Sequence, residues 1–339
     1  MKVLFDHPDP FSLAHGGFQI QIEQTQLAVK GAGVEVEFLQ WWNARQKADI
    51  IHYFGRPRAA YIELAHAKGC KVVIEELLTG PGSRSPRQLA LQRLSIALFR
   101  RCLSSTFTAR LAWDTYRVAD ACLANTAWEA HLMSYLFAAP KERVHVLPNG
   151  VEQIFLTAPA APARGPWLVC AATITERKRI LELAQAAIRA QTPVLIVGQP
   201  YSDSDPYAQR CYALARQQPR FVRLESVPFG ERAKLAEILC AARGFVLISA
   251  METRSLAAEE AAACRCPLLL SDLPWARSVF GTMASYCPLA DVAATARCLR
   301  EFYDKAPTHP IPEKPKSWAE VGLQLKGIYQ SVLTSGAGG

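Results

Sequence analysis

The sequence predicts an α/β protein with two doubly wound, Rossmann-like domains, each built on a parallel sheet. The chain has 339 residues, which exceeds what one hydrophobic core usually serves. Short apolar runs alternate with helical patterns from one end of the chain to the other. Strands that are apolar throughout and bounded by helices are typical of parallel sheets covered on both faces. This alternation occurs twice, in halves of similar size that join near residues 148–151.

The first half predicts a domain over residues 1–150. It begins with a strand at residues 2–5 and a helix that starts at Gly17 and ends near Gly31. Further strands are predicted at residues 34–40, 48–55, 71–76, 119–125 and 144–150, with helices at 61–69 and from about 126 to 137.

The second half predicts a domain over residues 151–308. Strands are expected at residues 167–174, 193–198, 221–226, 244–249, 267–272 and 284–289, and helices at 179–190, 207–217, 231–242, 255–264 and 291–305. A proline-rich link at 308–318 leads to one more amphipathic helix, 317–333. Because this helix follows a complete domain, we expect it to pack back on the first one.

Composition indicates an ordinary globular protein. Half of the residues are apolar and a fifth are charged, and no apolar run reaches the ~18 residues of a membrane span. The ten cysteines are scattered through apolar segments, which favours reduced core thiols and a cytoplasmic location. Cys264 and Cys266 lack a matching second pair, so no metal site is expected.

The charge of the chain is concentrated locally. The formal net charge is +8, and between Leu77 and Arg117 seven arginines face a single acid, Asp114. Residues 88–103 combine helical apolar spacing with three of these arginines. Such a helix either packs on the core with a solvated basic edge or lies on an anionic membrane. We therefore expect peripheral contact with the inner face of a membrane through residues 84–110.

The stretch METRSLAAEEAAACRCPLLLSD, residues 251–272, is the strongest candidate site. It follows the strand at 244–249, and Ser255 is a suitable N-cap for the helix after it. The N–H groups of Leu256 and Ala257 would then be open to a phosphate or sugar oxygen. Glu252 lies in the loop and Glu260 in the second helical turn, where a carboxylate can accept hydrogen bonds from a diol. The alternative is that the acids of this helix only complement its dipole.

These residues carry a resemblance to a known family. Glu252 and Glu260, with seven residues between them, resemble the signature of the retaining glycosyltransferases of family 4, which have the GT-B fold of two Rossmann-like domains facing a central cleft. Supporting features occur in the family's order: Gly16 and Gly17 at the first helix, NGVE at 149–152, Lys178, Gly198 and a helix led by Trp318. The resemblance spans essentially the whole chain.

The resemblance implies a role for each matching position. Glu260 would bind the ribose of a nucleotide-sugar donor, and Glu252 the transferred sugar. Lys178 would neutralise the diphosphate leaving group, as a compact cation in a water-poor site is suited to do. The remaining donor-binding candidates are Thr173 and the backbone at Gly16, Gly17, Gly198, Ser255, Leu256 and Ala257.

The sequence departs from the family at three places. Thr173 occupies the position of an arginine five residues before Lys178, and Arg177 and Arg179 are candidate replacements. Arg254–Ser255 replaces the usual Phe-Gly. Where many members carry a histidine, this chain has Glu75 and Glu76, which are candidates for an acceptor base or sugar contact.

Two histidines are further candidates in the first domain. His15 and His52 are expected at strand-end loops, each as an acceptor contact or base, or as a hydrogen-bonded structural imidazole.

The function predicted from these observations is transfer of a sugar from a nucleoside-diphosphate donor to a hydroxyl acceptor, with retention and without a cofactor or essential metal. A nucleotide-sugar epimerase and a non-catalytic nucleotide-sugar-binding subunit remain alternatives. The segment GAGVEV, 31–36, is not a dinucleotide fingerprint, because it follows a helix and lacks the third glycine. The sequence has no basic stripe with interleaved aromatic residues, so nucleic-acid binding is not expected.

Overall fold

The computed structural model describes residues 1–8, 11, 16–159, 163–228 and 230–334, and only the backbone of residues 105 and 106. The chain divides into two compact units. Unit 1 comprises Met1–Gly150 and Trp318–Gly339, and unit 2 comprises Val151–Ser317.

Unit 1 is a six-stranded sheet in which every described strand pair is parallel, in the order β2-β1-β3-β4-β5-β6. Its strands are β1 (Lys2–Asp6), β2 (Glu35–Phe38), β3 (Ile50–Phe54), β4 (Lys71–Glu75), β5 (Ala121–Ala124) and β6 (Val144–Val146). Its helices within the first 150 residues are α1 (Gly17–Gly31), α2 (Ala59–Ala67), α3 (Thr79–Gly82), α4 (Pro86–Cys102), α5 (Ser105–Arg110), α6 (Thr115–Val118) and α7 (Ala127–Phe137). The 3-10 turn Lys141–Arg143 precedes β6.

Unit 2 repeats this architecture with the strand order β12-β11-β10-β7-β8-β9, again with parallel pairs. Its strands are β7 (Leu168–Ala171), β8 (Val194–Val197), β9 (Val222–Glu225), β10 (Gly244–Leu247), β11 (Leu268–Ser271) and β12 (Ser285–Cys287). Its helices are α8 (Gln153–Leu156), α9 (Ile180–Arg189), α10 (Pro206–Gln217), α11 (Arg232–Ala241), α12 (Leu256–Ala263), α13 (Pro274–Phe280) and α14 (Val292–Lys305). The 3-10 turns are Glu176–Lys178 and Ala306–Thr308.

The last helix, α15 (Trp318–Thr334), packs against α1 in unit 1. Gly322 allows the close approach, because a Cβ there would lie 2.4 Å from the carbonyl oxygen of Ala28. Gly150 of the NGVE segment has a similar role, since its Cβ would lie 2.5 Å from the backbone of Trp318. Two glycines therefore fit α15 against the first 150 residues.

The cores of both units follow from the apolar strands. In β7, β10 and β11 every residue is buried, as expected for central parallel strands covered on both faces. The alanines of α12 are almost all buried, and their small side chains let this helix lie close to the sheet. The packing of α12 thus explains the alanines, and its acids require a separate explanation.

Candidate functional site

The sheet of unit 2 contains a topological switch point. β7, its first strand, has β8 on one side and β10 on the other, so the chain changes direction across the sheet between β7 and β10. In open parallel sheets, ligands bind beyond the carboxyl ends of the strands at such a point. The loops that follow β7 and β10 therefore form the candidate site.

An ion cluster around Glu252 joins these two loops. Lys178, at the end of a 3-10 turn after β7, donates from its ammonium group to Glu252 Oε1. The guanidinium of Arg177 lies 3.3 Å from the same oxygen and donates to the Met251 carbonyl at 2.8 Å. Glu252 is buried and the Lys178 side chain is 14% exposed, whereas the Arg177 side chain is 39% exposed. Charge-assisted hydrogen bonds in such surroundings are short and strong.

Of the two arginines beside Lys178, Arg177 contacts Glu252 and Arg179 does not. Arg179 has a left-handed backbone conformation with φ of 54°, and its guanidinium donates to the Ala290 carbonyl at 2.8 Å. It also lies 3.8 Å from Glu182. Arg179 therefore contacts other parts of unit 2, and the ion cluster contains two cations.

Ser255 caps α12, as the sequence predicts. Its hydroxyl accepts a hydrogen bond from the Ala258 N–H at 3.3 Å, and the helix begins at Leu256. The N–H groups of Leu256 and Ala257 have no acceptor within the helix, by the geometry of its first turn. Both residues are half-buried. Donors in this position suit an anionic or hydroxyl oxygen.

Glu260 belongs to a cluster that the sequence does not reveal. Arg232, the first residue of α11, donates from Nη2 to Glu260 Oε1 and from Nε to Glu152 Oε2, the latter at 2.7 Å. Its guanidinium lies over the ring of Phe155, 4.8 Å from the centroid. Burial raises the pKa of Glu260 to about 7, against the opposing effect of Arg232. Glu260 is thus a carboxyl group that titrates near neutrality.

Glu259 is paired in the same way with a different cation. Its carboxylate lies 2.7 Å from Arg254 Nη2 and is buried, and burial raises its pKa although the arginine opposes the shift. Both acids of α12 therefore have specific cationic partners, whereas interaction with the helix dipole alone requires none.

The packing between two loops of unit 2 requires a glycine at position 198. It follows β8, and a Cβ at this position would lie 1.9 Å from the carbonyl oxygen of Ala172, in the loop after β7. This contact explains the glycine as a close fit between two strand-end loops. Its predicted approach to the donor stays a prediction.

The glycines at the start of α1 differ in their backbone requirement. Gly16 has φ of 141°, a region that favours glycine, and occupies the N-cap position, while Gly17 is the first helical residue. His15 lies outside the described residues.

His52 is not in a strand-end loop, contrary to the expectation, but within β3, and its ring is fully buried. Nδ1 lies 2.7 Å from the hydroxyl of Tyr329, and Nε2 lies 3.2 Å from Glu75 Oε2, off the line of a good hydrogen bond. The Gln21 amide donates to the other oxygen of Glu75. A polar strand residue is tolerated here because neighbours from α1, β4 and α15 surround it with polar groups.

Glu76 belongs to a second network. Arg56 donates to its Oε2 at 2.7 Å, the hydroxyl of Tyr116 donates to the same oxygen, and the guanidinium lies over the ring of Phe137. Burial raises the pKa of Tyr116 well above its usual value. The predicted catalytic roles of Glu75 and Glu76 stay predictions, and each carboxylate has a network of its own within unit 1.

Within the described part of the chain, no group of three or more His, Cys, Asp or Glu side chains is arranged to hold a metal ion. None of the described helices is both long and apolar enough to cross a membrane. In the ion cluster around Glu252, the positive charge comes from the side chains of Lys178 and Arg177.

No family model matches the chain. One curated relative is the D-inositol 3-phosphate glycosyltransferase of Jonesia denitrificans, which is 31% identical over 176 residues. The match covers 45% of this chain and 41% of the relative, so the chain spans about two-fifths of the protein that it matches.

Solved structures resemble the chain over its whole length. Sucrose-phosphate synthase from Thermosynechococcus elongatus has a TM-score of 0.69 at 16% identity, covering 99% of this chain and 100% of the other. HepE of Anabaena in complex with UDP has a TM-score of 0.65 at 13% identity, covering 99% of both chains. A glycosyltransferase from Rickettsia africae has a TM-score of 0.62 at 12% identity, covering 98% of both. The predicted fold class, an α/β protein with two doubly wound GT-B-type units, is confirmed.

Proposed function

We propose that the chain is a glycosyltransferase of the EC 2.4 class that moves a sugar from a nucleoside-diphosphate donor to a hydroxyl acceptor. The observation that carries this proposal is the ion cluster of Lys178, Arg177 and Glu252 at the switch point of unit 2. The fold supports it, since the similar HepE structures contain UDP and UDP-glucose. The partial relative is itself a glycosyltransferase.

The donor is proposed to bind at the carboxyl ends of β7 and β10, with a uridine diphosphate as its nucleotide. The free N–H groups at the start of α12 would bind sugar or phosphate oxygens, and Glu260 would accept hydrogen bonds from the ribose hydroxyls. Arg232 holds Glu260 from the side and favours its ionised form. A carboxylate that is already oriented loses little freedom when the ribose arrives.

Leaving-group stabilisation is the proposed contribution of Lys178 and Arg177. As the bond between the anomeric carbon and the diphosphate oxygen breaks, negative charge collects on the diphosphate. Two cations that Glu252 already holds in place, of which Lys178 is largely shielded from water, stabilise this charge with little reorganisation. In this proposal they perform the task that a divalent metal performs elsewhere, so transfer needs no essential metal. Glu252, which accepts from both, sets their position and contacts the transferred sugar.

The test uses the purified full chain with a panel of UDP-sugars and acceptor alcohols. The products are analysed by mass spectrometry and by NMR of the anomeric proton. We expect a new glycoside, with the anomeric configuration of the donor, and unchanged activity in the presence of EDTA. Conversion of the donor alone into an isomeric UDP-sugar would instead identify an epimerase. Thermal stabilisation by UDP without any turnover would identify a non-catalytic subunit.

A further inference from the structure

Helix α4 of unit 1 presents two apolar faces. Its buried side chains are Leu89 and Ile96, seven residues apart, which form a narrow stripe on the side packed against α7. Leu91, Leu94 and Leu98 follow the i, i+3, i+7 spacing of a second stripe on the opposite side, and they are 65%, 67% and 57% exposed. A helix that only covers a core needs one such stripe.

The outer leucine stripe is flanked by cationic side chains. Arg87 and Arg101 lie on the same side of α4 and are exposed, as is Arg110 at the end of α5. None of these three arginines has an ion-pair partner among the described residues. The chain thus carries a cationic border beside an exposed apolar stripe.

The other arginines of this region each have a partner. Arg84 donates from Nη1 to Gln92 Oε1 at 2.6 Å. Arg93 lies over the ring of Tyr135, and Arg100 contacts Asp114 at 3.2 Å. Asp114, the only acid between residues 77 and 117, also lies 3.5 Å from Arg117. The single negative charge of the region is therefore already shared between two arginines, and the leucine face remains positive.

Helix α4 needs no partner in order to form. Ser85 and Gln88 form a reciprocal capping box, and Pro86 occupies the first turn. The outer face is therefore presented on a helix that is fixed at its N-terminus and along its inner stripe. A preformed face loses little conformational entropy when it binds.

We infer that the outer face of α4, defined by Leu91, Leu94 and Leu98 with Arg87 and Arg101, docks on an anionic phospholipid surface. The leucines would enter the boundary between headgroups and acyl chains, while the arginines contact the lipid phosphates. A second copy of the chain fits less well, because pairing two such faces brings their arginines together. The inference is independent of the proposed sugar transfer, since it uses no residue of the unit 2 site.

The test is sedimentation of the full chain with sucrose-loaded vesicles, made either of phosphatidylcholine alone or of phosphatidylcholine mixed with the anionic lipid phosphatidylglycerol. We expect binding only to the anionic vesicles, weakening as salt rises because exposed charges are screened. The triple variant Leu91→Gln, Leu94→Gln, Leu98→Gln should bind more than about tenfold more weakly. Arg87→Gln with Arg101→Gln should cost about fivefold per arginine.

A matched control variant tests whether replacing exposed leucines elsewhere on the surface also weakens vesicle binding. Leu27, Leu64 and Leu323 are exposed to a similar degree on α1, α2 and α15, so the triple change to Gln there should leave vesicle binding unaltered. The melting temperature of every variant, measured by circular dichroism without any ligand, checks that each one is folded. Equal binding by the outer-face variant and the control would overturn the inference. So would binding of the wild type to soluble polyglutamate, lost in the outer-face variant, without any binding to the anionic vesicles, because that result assigns the face to an acidic protein.

Discussion

Replacing Glu260 with Gln removes one buried ionisable group and keeps its shape. The pKa of Glu260 is about 7, against 4.5 for an ordinary glutamate, because burial disfavours its charged form. The folded protein therefore binds this proton more tightly than the unfolded chain does. The stability that this provides is complete below about pH 4.5 and is lost as the pH rises through about 7. A pKa difference of about 2.5 corresponds to about 3.5 kcal/mol at ~1.4 kcal/mol per unit, of which about 3 kcal/mol is lost between about pH 4.5 and 8.

The measurement is urea unfolding of the wild type and of Glu260→Gln at several pH values between about 4.5 and 8. The variant should gain about 3 kcal/mol on the wild type across this range, because its amide has no proton to lose. The other buried carboxyls contribute equally to both proteins and cancel in the difference. Glu237, on the exposed side of α11, provides the matched control, and Glu237→Gln should follow the wild type. Parallel curves for Glu260→Gln and the wild type would refute the argument from burial.

The same variant tests the proposed ribose contact. A hydrogen bond to a charged group contributes roughly 1.5–3 kcal/mol, so Glu260→Gln should weaken UDP binding by about tenfold or more. The loss should be smaller for 2′-deoxy-UDP, which presents one hydroxyl fewer. Calorimetric titration of both nucleotides gives the ratio, and unchanged affinity for the two would remove Glu260 from the ribose site.

The remaining predictions concern turnover and packing. Lys178→Ala should lower kcat by roughly 10²–10³ with a smaller change in the KM for the donor, since leaving-group charge grows toward the transition state; a change in KM alone would argue against this role. Gly198→Ala should lower the melting temperature by several degrees, because the added Cβ would overlap a backbone carbonyl. Gly230→Ala is the control: no atom lies within 4 Å of a Cβ at this position, so its melting temperature should not change. Tyr329→Phe should cost about 1–3 kcal/mol in urea unfolding by leaving His52 Nδ1 without its partner, and an unchanged midpoint would contradict the hydrogen bond.

The strands and long helices could be predicted from the sequence because their signals are local. The run GFVLIS contains β10 (Gly244–Leu247), and the periodicity of residues 291–305 contains α14 (Val292–Lys305). The predictable part of the site was equally local. Ser255 precedes an alanine-rich helix, and its capping role follows from that position.

Partners that are distant in sequence could not be predicted. Arg232 meets Glu260 and Glu152 because α8, α11 and α12 come together in unit 2, and nothing near Arg232 in the sequence indicates this. Glu75 and Glu76 show the same limit. Adjacent residues at a strand end point in different directions, so one contacts His52 and the other Arg56, although the sequence presents them as a pair.

The acids of an alanine-rich helix have an explanation that goes beyond helix stability. Glu252, Glu259 and Glu260 are all buried, and each contacts a cation from outside α12. Buried ion pairs stabilise a fold poorly, because desolvation offsets their attraction. For Glu259 and Glu260 desolvation is the larger effect, since burial raises the pKa of both despite the arginines. Apolar residues would serve packing better at these positions, and the proposed donor site is a reason for carboxylates at Glu252 and Glu260 that packing does not supply.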